Sequence, residues 1–397
     1  MKKDYAKNIR ILLLATLVIW IATYAAASRD YYLDIQQHVG WALEINRSNI
    51  FDFMRNYIAY PLWHVCVRYL CNFFPYGPAN TASGATALFN CFALWVVIFV
   101  WSRLAGKKID FGSISFYSTC LLFVGPLSYP AFNPFYYLGQ GSPNIWHNPT
   151  NIAVKGFAVL CFGLVIYILE SAKTDKELLW TYIILSVLLV LSALAKPSFF
   201  QGIVPGLGLY FIFALIAKGF KTQIKRFLLI ALSFVPSACV IGFQFVCSFF
   251  IQGNIGEGNG IGIEFGRVLH NWSPHLGKSF LLAFAFPVAV LLINFKPLIK
   301  KTSIQVTMFY ELAAWAESTF LYEIGERELH GNWLWGSYIS MFIVWVVFTI
   351  HYFDILNDEN VSVKRKRVNM IIGLPLLFLH LLFGISFWYS FSMFYPQ

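Results

Sequence analysis

Apolar segments long enough to cross a membrane recur along the whole chain, and the solvent that they require limits the fold. At about 1.5 Å of rise per residue, roughly 20 helical residues cross the ~30 Å hydrocarbon core of a bilayer. Backbone polar groups in lipid need internal hydrogen-bond partners, so these segments are expected to be helices. We predict about eleven transmembrane helices, at 11–27, 85–103, 113–131, 151–170, 178–195, 199–217, 227–251, 279–295, 303–322, 334–353 and 369–393.

The composition agrees with lipid as the surrounding solvent. Of the 397 residues, 58% are hydrophobic and 12% are charged, about half the charged share of a soluble domain. A soluble fold could not bury so much apolar surface, which excludes a soluble enzyme, a disordered chain and a secreted disulfide scaffold. We therefore predict an all-α polytopic membrane protein with a single transmembrane domain over residues 1–397.

Basic residues indicate the orientation of the chain. With a cytoplasmic N-terminus, every segment predicted on the cytoplasmic side carries Lys or Arg, and these segments hold most of the 29 basic residues. Such an excess is typical of cytoplasmic loops. It also explains the net charge of +10 without a nucleic acid partner.

The predicted outer loops are poor in basic charge and rich in His, Asn, Gly and Trp; the longest are 28–84, 132–150, 252–278 and 323–333. The first is too long for a connector. We expect two amphipathic helices in it, lying on the membrane face, from Asp34 to Ile45 and from about Tyr60 to Phe74. Any site there needs a substrate that has already crossed the membrane.

Asp34 and His38 are the first candidate pair. They are four residues apart and therefore share one face of the predicted helix. A carboxylate at the lipid–water boundary can accept the proton of a hydroxyl acceptor. The alternative is that Asp34 only caps the helix. His64, in the second amphipathic helix, is a further candidate.

A polar loop that leads into the span at 151–170 is the second candidate, and it contains Asn144, Trp146 and His147. Asn148 or Thr150 can cap the following helix, whose free N–H groups would suit a phosphate. The alternative is a plain turn with caps.

Two further segments carry cations near the outer face. Lys196 lies between two spans and either binds a phosphate head group or snorkels to the interface. In the last outer loop, Arg327 can hold a phosphate in a two-pronged contact, with Glu326 and His330 nearby; the alternative is an interfacial belt of Trp with local Glu–Arg pairs. The Gly-rich segment at 253–262 is either a mobile flap or a flexible connector.

The motifs Asp34-x-x-x-His38, Tyr60-Pro-Leu-Trp-His64, Asn144-Ile-Trp-His-Asn-Pro-Thr150 and Gly325-Glu-Arg-x-x-His-Gly-Asn332 follow one another in these loops. Together with the architecture, this pattern resembles the polyprenyl-phosphate-sugar-dependent glycosyltransferases of the GT-C fold, of the bacterial type that builds surface polysaccharide. In that family an acid of the first loop is the catalytic base, which implies that role for Asp34. The family often has a second acid close by, whereas here the nearest is Asp30.

The resemblance implies an inverting glycosyltransferase of a bacterial inner membrane, with its active site facing outward. It implies a polyprenyl-phosphate-linked sugar as donor, delivered through the membrane lipid, and a glycan or glycolipid hydroxyl as acceptor. Phosphate or sugar binding is implied for His38, His64, Asn144, Trp146, His147, Lys196, Glu326, Arg327 and His330. We expect no cofactor and no resident metal, although a divalent cation stays open. The alternatives are a polysaccharide polymerase or O-antigen ligase and, because Glu311 is a deep charge, a transporter or flippase.

Overall fold

The computed structural model describes residues 2–29, 34–46, 49–74, 76–105, 109–128, 141–218, 223–251, 260–325 and 327–394. Within these ranges the chain is helical apart from one two-stranded sheet and the connecting turns. The helices are α1 (Lys2–Arg29), α2 (Asp34–Leu43), α3 (Ile50–Asn56), α4 (Leu62–Phe73), α5 (Pro78–Leu104), α6 (Phe111–Leu121), α7 (Pro149–Glu170), α8 (Leu179–Ala195), α9 (Ser198–Lys218), α10 (Ile224–Phe245), α11 (Leu269–Trp272), α12 (Leu276–Ile293), α13 (Phe295–Leu298), α14 (Thr302–Phe320), α15 (Leu334–Asn357), α16 (Val363–Val368) and α17 (Leu374–Phe394).

The all-α polytopic fold is confirmed. A helix lies at each of the eleven predicted spans, and eight helices in the described ranges are long and apolar enough to cross a membrane. The helix α8 has only 17 residues, and α14 carries Glu311 and Glu317. The Oε2 of Glu311 accepts a hydrogen bond of 2.6 Å from Ser340 Oγ of α15. The helix α15 is buried along almost its whole length and forms the centre of the bundle.

The helix predicted at 113–131 is too long. The helix α6 ends at Leu121, whose carbonyl accepts a hydrogen bond of 2.8 Å from Asn144 Nδ2. Farther on, the N–H of Gly125 donates to the carbonyl of His380 in α17, at 3.1 Å. Neighbouring segments thus supply the partners that non-helical backbone requires inside a membrane protein.

The first long loop contains both predicted amphipathic helices, α2 and α4, together with the shorter α3, which was not predicted. In α2, Ile35, Val39 and Ala42 are buried, because apolar residues three and four apart lie on one helix face. In α4, Trp63 and Val67 are buried in the same way. These faces fix α2 and α4 against the bundle at the end that holds the candidate residues.

Two loops are joined by a short antiparallel ribbon that was not predicted. Its strands are β1 (Gly260–Ile263) and β2 (Leu321–Ile324). Gly262 pairs with Tyr322, and a Cβ added to this glycine would clash with the ring of the tyrosine. A larger residue at this position would therefore require the ring of Tyr322 to move. The residues of the Gly-rich segment before β1, at 252–259, lie outside the described ranges, so neither interpretation of that segment is tested.

At the opposite end of the bundle, two segments predicted on the cytoplasmic side meet. The guanidinium of Arg226 donates to Asp175 Oδ1 at 3.1 Å and to the carbonyls of Ser171 and Lys173, each at 2.7 Å. The segment after α7 and the start of α10 therefore lie at the same end, as the charge pattern predicts.

The helices α9 and α14 approach each other closely at two glycines. A Cβ on Gly206 would lie 2.6 Å from Cα of Tyr310, and a Cβ on Gly202 would lie 2.8 Å from Cβ of Ala314. Small residues spaced four apart allow such backbone contact between membrane helices. Because α9 begins two residues after Lys196, this contact helps to fix the position of that lysine.

We expect Gly206→Leu to lower the thermal unfolding temperature of the detergent-purified protein, because overpacking of a close contact costs about 1–3 kcal/mol. Gly208, on the same helix, has no heavy atom within 4 Å of the position of an added Cβ. Gly208→Leu is therefore the matched control and should leave the unfolding temperature nearly unchanged. Equal losses in the two variants would contradict the close contact.

Candidate functional site

Polar side chains from distant parts of the sequence come together at one end of the bundle. They belong to the start of α2, to α4, to the turn before α7, to the connection between α8 and α9, and to the segment before α15. The amide of Asn148 lies at their centre. It is the residue that caps α7, and its side chain contacts both the predicted base and a predicted cation.

Asn148 separates Asp34 from Lys196. Its Nδ2 donates to Asp34 Oδ2 at 3.1 Å, and its Oδ1 accepts from Lys196 Nζ at 2.9 Å. The same Oδ1 also accepts from Thr150 Oγ1 at 2.8 Å and from the N–H of Asn151 at 2.9 Å. The carboxylate and the ammonium are therefore bridged by a neutral amide. The start of α7 is capped by this side chain, as the sequence allows, and the cap occupies the N–H of Asn151.

Lys196 is buried, at 4% exposure, and does not snorkel. Its Nζ donates to Thr150 Oγ1 at 3.2 Å and lies 4.1 Å from the ring centroid of Trp335. Among the described residues no carboxylate lies within salt-bridge distance of it. Burial lowers the pKa of Lys196 to about 7, while the charge of Asp34 opposes this shift. A buried cation whose contacts are neutral oxygens and an aromatic ring is suited to an anionic ligand.

His147 is half-buried, and its ring centroid lies 5.9 Å from that of Trp335. Burial lowers the pKa of His147, Asp34 raises it and Lys196 lowers it. His147 and Lys196 thus lie beside the same aromatic side chain, that of Trp335.

The structure places two predicted binding residues in structural roles instead. The Nδ2 of Asn144 donates to the end of α6, as described above, and its Oδ1 accepts from Lys155 Nζ at 2.9 Å. Trp146 is buried in an apolar cluster with Ile145, Val268 and neighbouring side chains. Asn144 therefore secures the loop, and Trp146 is not exposed for stacking on a sugar. A sequence alone does not separate these uses, because both residue types suit loops and ligands equally.

His38 contacts His64 rather than Asp34. Nδ1 of His38 and Nε2 of His64 are 2.8 Å apart, and both side chains are buried. Burial lowers the pKa of His64 to about 3. It also lowers the pKa of His38, with smaller contributions from His64 and Lys196. The two neutral rings join α2 to α4 and thereby position the helix that begins with Asp34.

Of the three candidates in the last outer loop, Glu326, Arg327 and His330, the structure brings Arg327 to the site. Arg327 is 45% exposed, and its Nε lies 3.1 Å from Glu323 Oε2, which also accepts from Asn332 Nδ2 at 3.1 Å. His330 is exposed on the 3-10 turn of Glu328–His330 and does not line the cavity described next. Glu326 lies outside the described residues.

A cavity of about 110 Å³ lies beside Lys196 and Trp335. Tyr60, Arg327 and Glu323 also line it. Burial raises the pKa of Tyr60 to about 12, so its hydroxyl stays protonated. The cavity therefore contains two cations, an aromatic face and hydrogen-bonding groups, and Asp34 is connected to it through Asn148.

The sequence did not point to part of this cavity. Ser198 and Gln201 of α9, Gln244 of α10 and Ser248 of the π-helical turn after α10 supply that part. Gln244 is a polar residue within a predicted span, which was the available signal. In the described part of the chain, no three His, Cys, Asp or Glu residues are close enough to hold a metal ion. Asp30 and Glu326 lie outside that part, so the divalent cation stays open.

No protein-family model matches the sequence, and no curated protein matches it. Solved structures do match. The chain superposes on ArnT from Cupriavidus metallidurans bound to undecaprenyl phosphate with a TM-score of 0.51 at 12% identity, covering 97% of this chain and 76% of ArnT. It superposes on the oligosaccharyltransferase AglB from Archaeoglobus fulgidus, in complex with an inhibitory peptide and a dolichol-phosphate, with a TM-score of 0.52 at 12% identity. That match covers 97% of this chain and 56% of AglB. The chain therefore has the GT-C fold, as the sequence motifs predict.

Proposed function

We propose that this protein is an inverting glycosyltransferase that moves a sugar from a polyprenyl-phosphate donor to a hydroxyl acceptor on the outer face of a bacterial inner membrane. The observation that carries the proposal is the arrangement of Asp34 and Lys196 on the two sides of the Asn148 amide. A carboxylate and a buried cation are held close together without forming an ion pair. The fold is shared with ArnT, solved with undecaprenyl phosphate, and with AglB, solved with a dolichol-phosphate.

In this mechanism the cations bind the donor. Lys196 and Arg327 both line the cavity. The charge of Lys196 holds the phosphate of the lipid-linked sugar, and Arg327, whose Nε is paired with Glu323, adds hydrogen bonds from the rest of its guanidinium. A phosphate that leaves gains negative charge in the transition state, and preorganised cations at that place lower the barrier. Trp335 provides an aromatic surface beside the phosphate-binding group. The burial of Lys196 strengthens its interaction with the phosphate, because there is little water to screen it.

Asp34 acts as the base. It is half-buried at the start of α2 and keeps an oxygen beyond the one that accepts from Asn148. As the acceptor oxygen forms its bond to the anomeric carbon, its proton passes to Asp34. The bond between that carbon and the phosphate oxygen breaks at the same time, and its electron pair leaves with the lipid phosphate. A single displacement of this kind inverts the anomeric centre.

The acceptor is a glycan or glycolipid hydroxyl, and the outward direction follows from the charge pattern. Nucleotide sugars are confined to the cytoplasm, whereas lipid carriers deliver sugars to the outer leaflet. The candidate residues lie at the end of the bundle opposite to Arg226 and its partners Asp175 and Ser171. Those three residues belong to segments that are predicted on the cytoplasmic side. The positive-inside rule therefore supports an outward-facing cavity.

Asp34→Asn should reduce turnover by about 10²–10⁴-fold, because the amide cannot accept the acceptor proton, while donor binding is retained. The measurement is single-turnover transfer from a lipid-phosphate sugar, with donor affinity measured separately. Asp52→Asn is the control, since Asp52 is exposed in the same loop and its ion pair, with the nearby Arg55 at 4.0 Å, lies away from Asn148 in the sequence. Full turnover by the Asp34 variant would refute the assignment of the base.

Donor affinity should fall as the pH rises above about 7, because the pKa of Lys196 is lowered to about 7 and its cation is lost above that pH. The phosphodiester of the donor keeps its single charge over this range. Burial lowers the pKa values of His38, His64 and His147, so these rings stay neutral above the ordinary histidine pKa of about 6.5.

The test is the dissociation constant of the donor between about pH 6.5 and 8.5. It should rise by up to about tenfold per unit once Lys196 is mostly neutral. Lys196→Met should bind weakly and lose this dependence, whereas Lys225→Met, at an exposed position of the opposite end, should keep it. A pH dependence that persists in Lys196→Met would show that another group is responsible.

A further inference from the structure

A groove of about 470 Å³ lies between α5 and α7, away from the cavity beside Lys196. The two helices run in the same direction, because Gly156 of α7 lies against Phe92 of α5 and Gly163, two turns farther along α7, lies against Val100. Phe99 and Tyr167, which line the groove, are exposed. The groove therefore opens on the surface of the bundle.

The groove changes from apolar to charged along its length. Leu160, Gly163 and Leu164 form an apolar wall along one face of α7. Arg103 and Glu170 also line the groove. Arg103 lies one residue before the end of α5, and Glu170 is the last residue of α7. Because the helices are parallel, both charges lie at the same end of the groove.

That end is the one predicted on the cytoplasmic side. Arg226 Nη1 donates to the carbonyls of Ile168 and Ser171, on either side of Glu170, at 3.2 and 2.7 Å. From Leu160 to Glu170 the helix rises about 15 Å, which is half of the ~30 Å hydrocarbon core. The groove thus extends through about one leaflet, the depth of an acyl chain of a cytoplasmic-leaflet lipid.

Arg103 retains the capacity to bind an anion. Its side chain is exposed, and its Cζ lies 5.2 Å from the ring centroid of Phe99. In the described part of the chain, which omits residues 106–108, no carboxylate lies within salt-bridge distance of the guanidinium. The N–H groups of a guanidinium are suited to a two-pronged contact with a phosphate. A phosphate at this depth belongs to a lipid head group.

Glu170 adds the opposite charge at the same end. Its side chain is exposed and, although it lines the same groove, lies beyond salt-bridge distance of Arg103. A head group that carries a phosphate and an ammonium offers a counter-charge to each of the two side chains. A head group with only negative charge would be repelled by the carboxylate. The pair therefore favours a zwitterionic lipid.

We propose that this groove binds one phospholipid of the cytoplasmic leaflet whose head group carries a phosphate and a primary ammonium, as phosphatidylethanolamine does. Arg103 holds the phosphate, and Glu170 accepts hydrogen bonds from the ammonium. One acyl chain lies along the apolar wall of α7. A choline head group has no N–H to donate, and a glycerol head group has no cation, so both bind less tightly. The site is independent of the proposed function.

The test measures lipid binding to the delipidated full-length protein in detergent by native mass spectrometry. The probes are phosphatidylethanolamine, phosphatidylcholine and phosphatidylglycerol with identical acyl chains. Phosphatidylethanolamine should bind about threefold or more tightly than the other two, as expected for one partly exposed charged contact. Tightest binding by phosphatidylglycerol would overturn the inference, because it would show a site for anionic lipid.

Two variants assign the contacts. Arg103→Gln should weaken the binding of all three lipids by about threefold. Glu170→Gln should remove the preference for phosphatidylethanolamine and leave the affinity for phosphatidylcholine unchanged. Both side chains are exposed at helix ends, so the unfolding temperature without lipid should stay the same, which shows that the variants are folded. Arg10→Gln is the matched control, because Arg10 is exposed near the cytoplasmic start of α1 and lies outside the groove.

Two further outcomes would overturn the inference. Unchanged affinities and preferences in both variants would show that the head group binds elsewhere. A polyprenyl phosphate that binds more tightly than phosphatidylethanolamine, and that loses this affinity in Arg103→Gln, would assign the groove to the donor. Neither outcome bears on Asp34 as the base, which the transfer assay tests separately.

Discussion

The site depends on one neutral amide between two opposite charges. A direct ion pair between Asp34 and Lys196 would stabilise both charges and leave neither available, because a buried pair is costly to break. Asn148 donates to the carboxylate and accepts from the ammonium, so it holds the two groups close while each keeps capacity for a substrate. The amide can do this because the cap of α7 fixes its orientation. The start of α7 thus sets the geometry of the candidate site.

The start of α7 is held in place by further buried hydrogen bonds. Lys155, one and a half turns into α7, donates to Asn144, and Asn144 donates to the end of α6. The loop that carries His147 and Asn148 is consequently held at both ends by buried polar bonds. In lipid such bonds have no water to replace them. Asn144, which the sequence suggested as a ligand contact, is therefore better explained as a support for the loop that carries His147 and Asn148.

The sequence predicted the helices well and the site in part. The transmembrane helices were predicted from long apolar segments, and α2 and α4 from the spacing of their apolar residues. Both patterns depend only on residues that are near one another along the chain. Asp34, Lys196 and Arg327 stood out because charge near lipid is costly. The roles of Asn144 and Trp146 were not predictable, since an amide or an indole in a loop can satisfy backbone or substrate equally. Gln244 and the ribbon of β1 and β2 depend on contacts between segments far apart in sequence, which periodicity does not report.

The ribbon ties the cavity to a distant part of the chain. Glu323, which holds Arg327, belongs to β2, and β2 is hydrogen-bonded along its length to β1. β1 belongs to the connection between α10 and α12, and α10 carries Gln244. The guanidinium of Arg327 is therefore held through a strand that a distant segment supports. A substitution that opened the ribbon would loosen Glu323 and, through it, the guanidinium that lines the cavity.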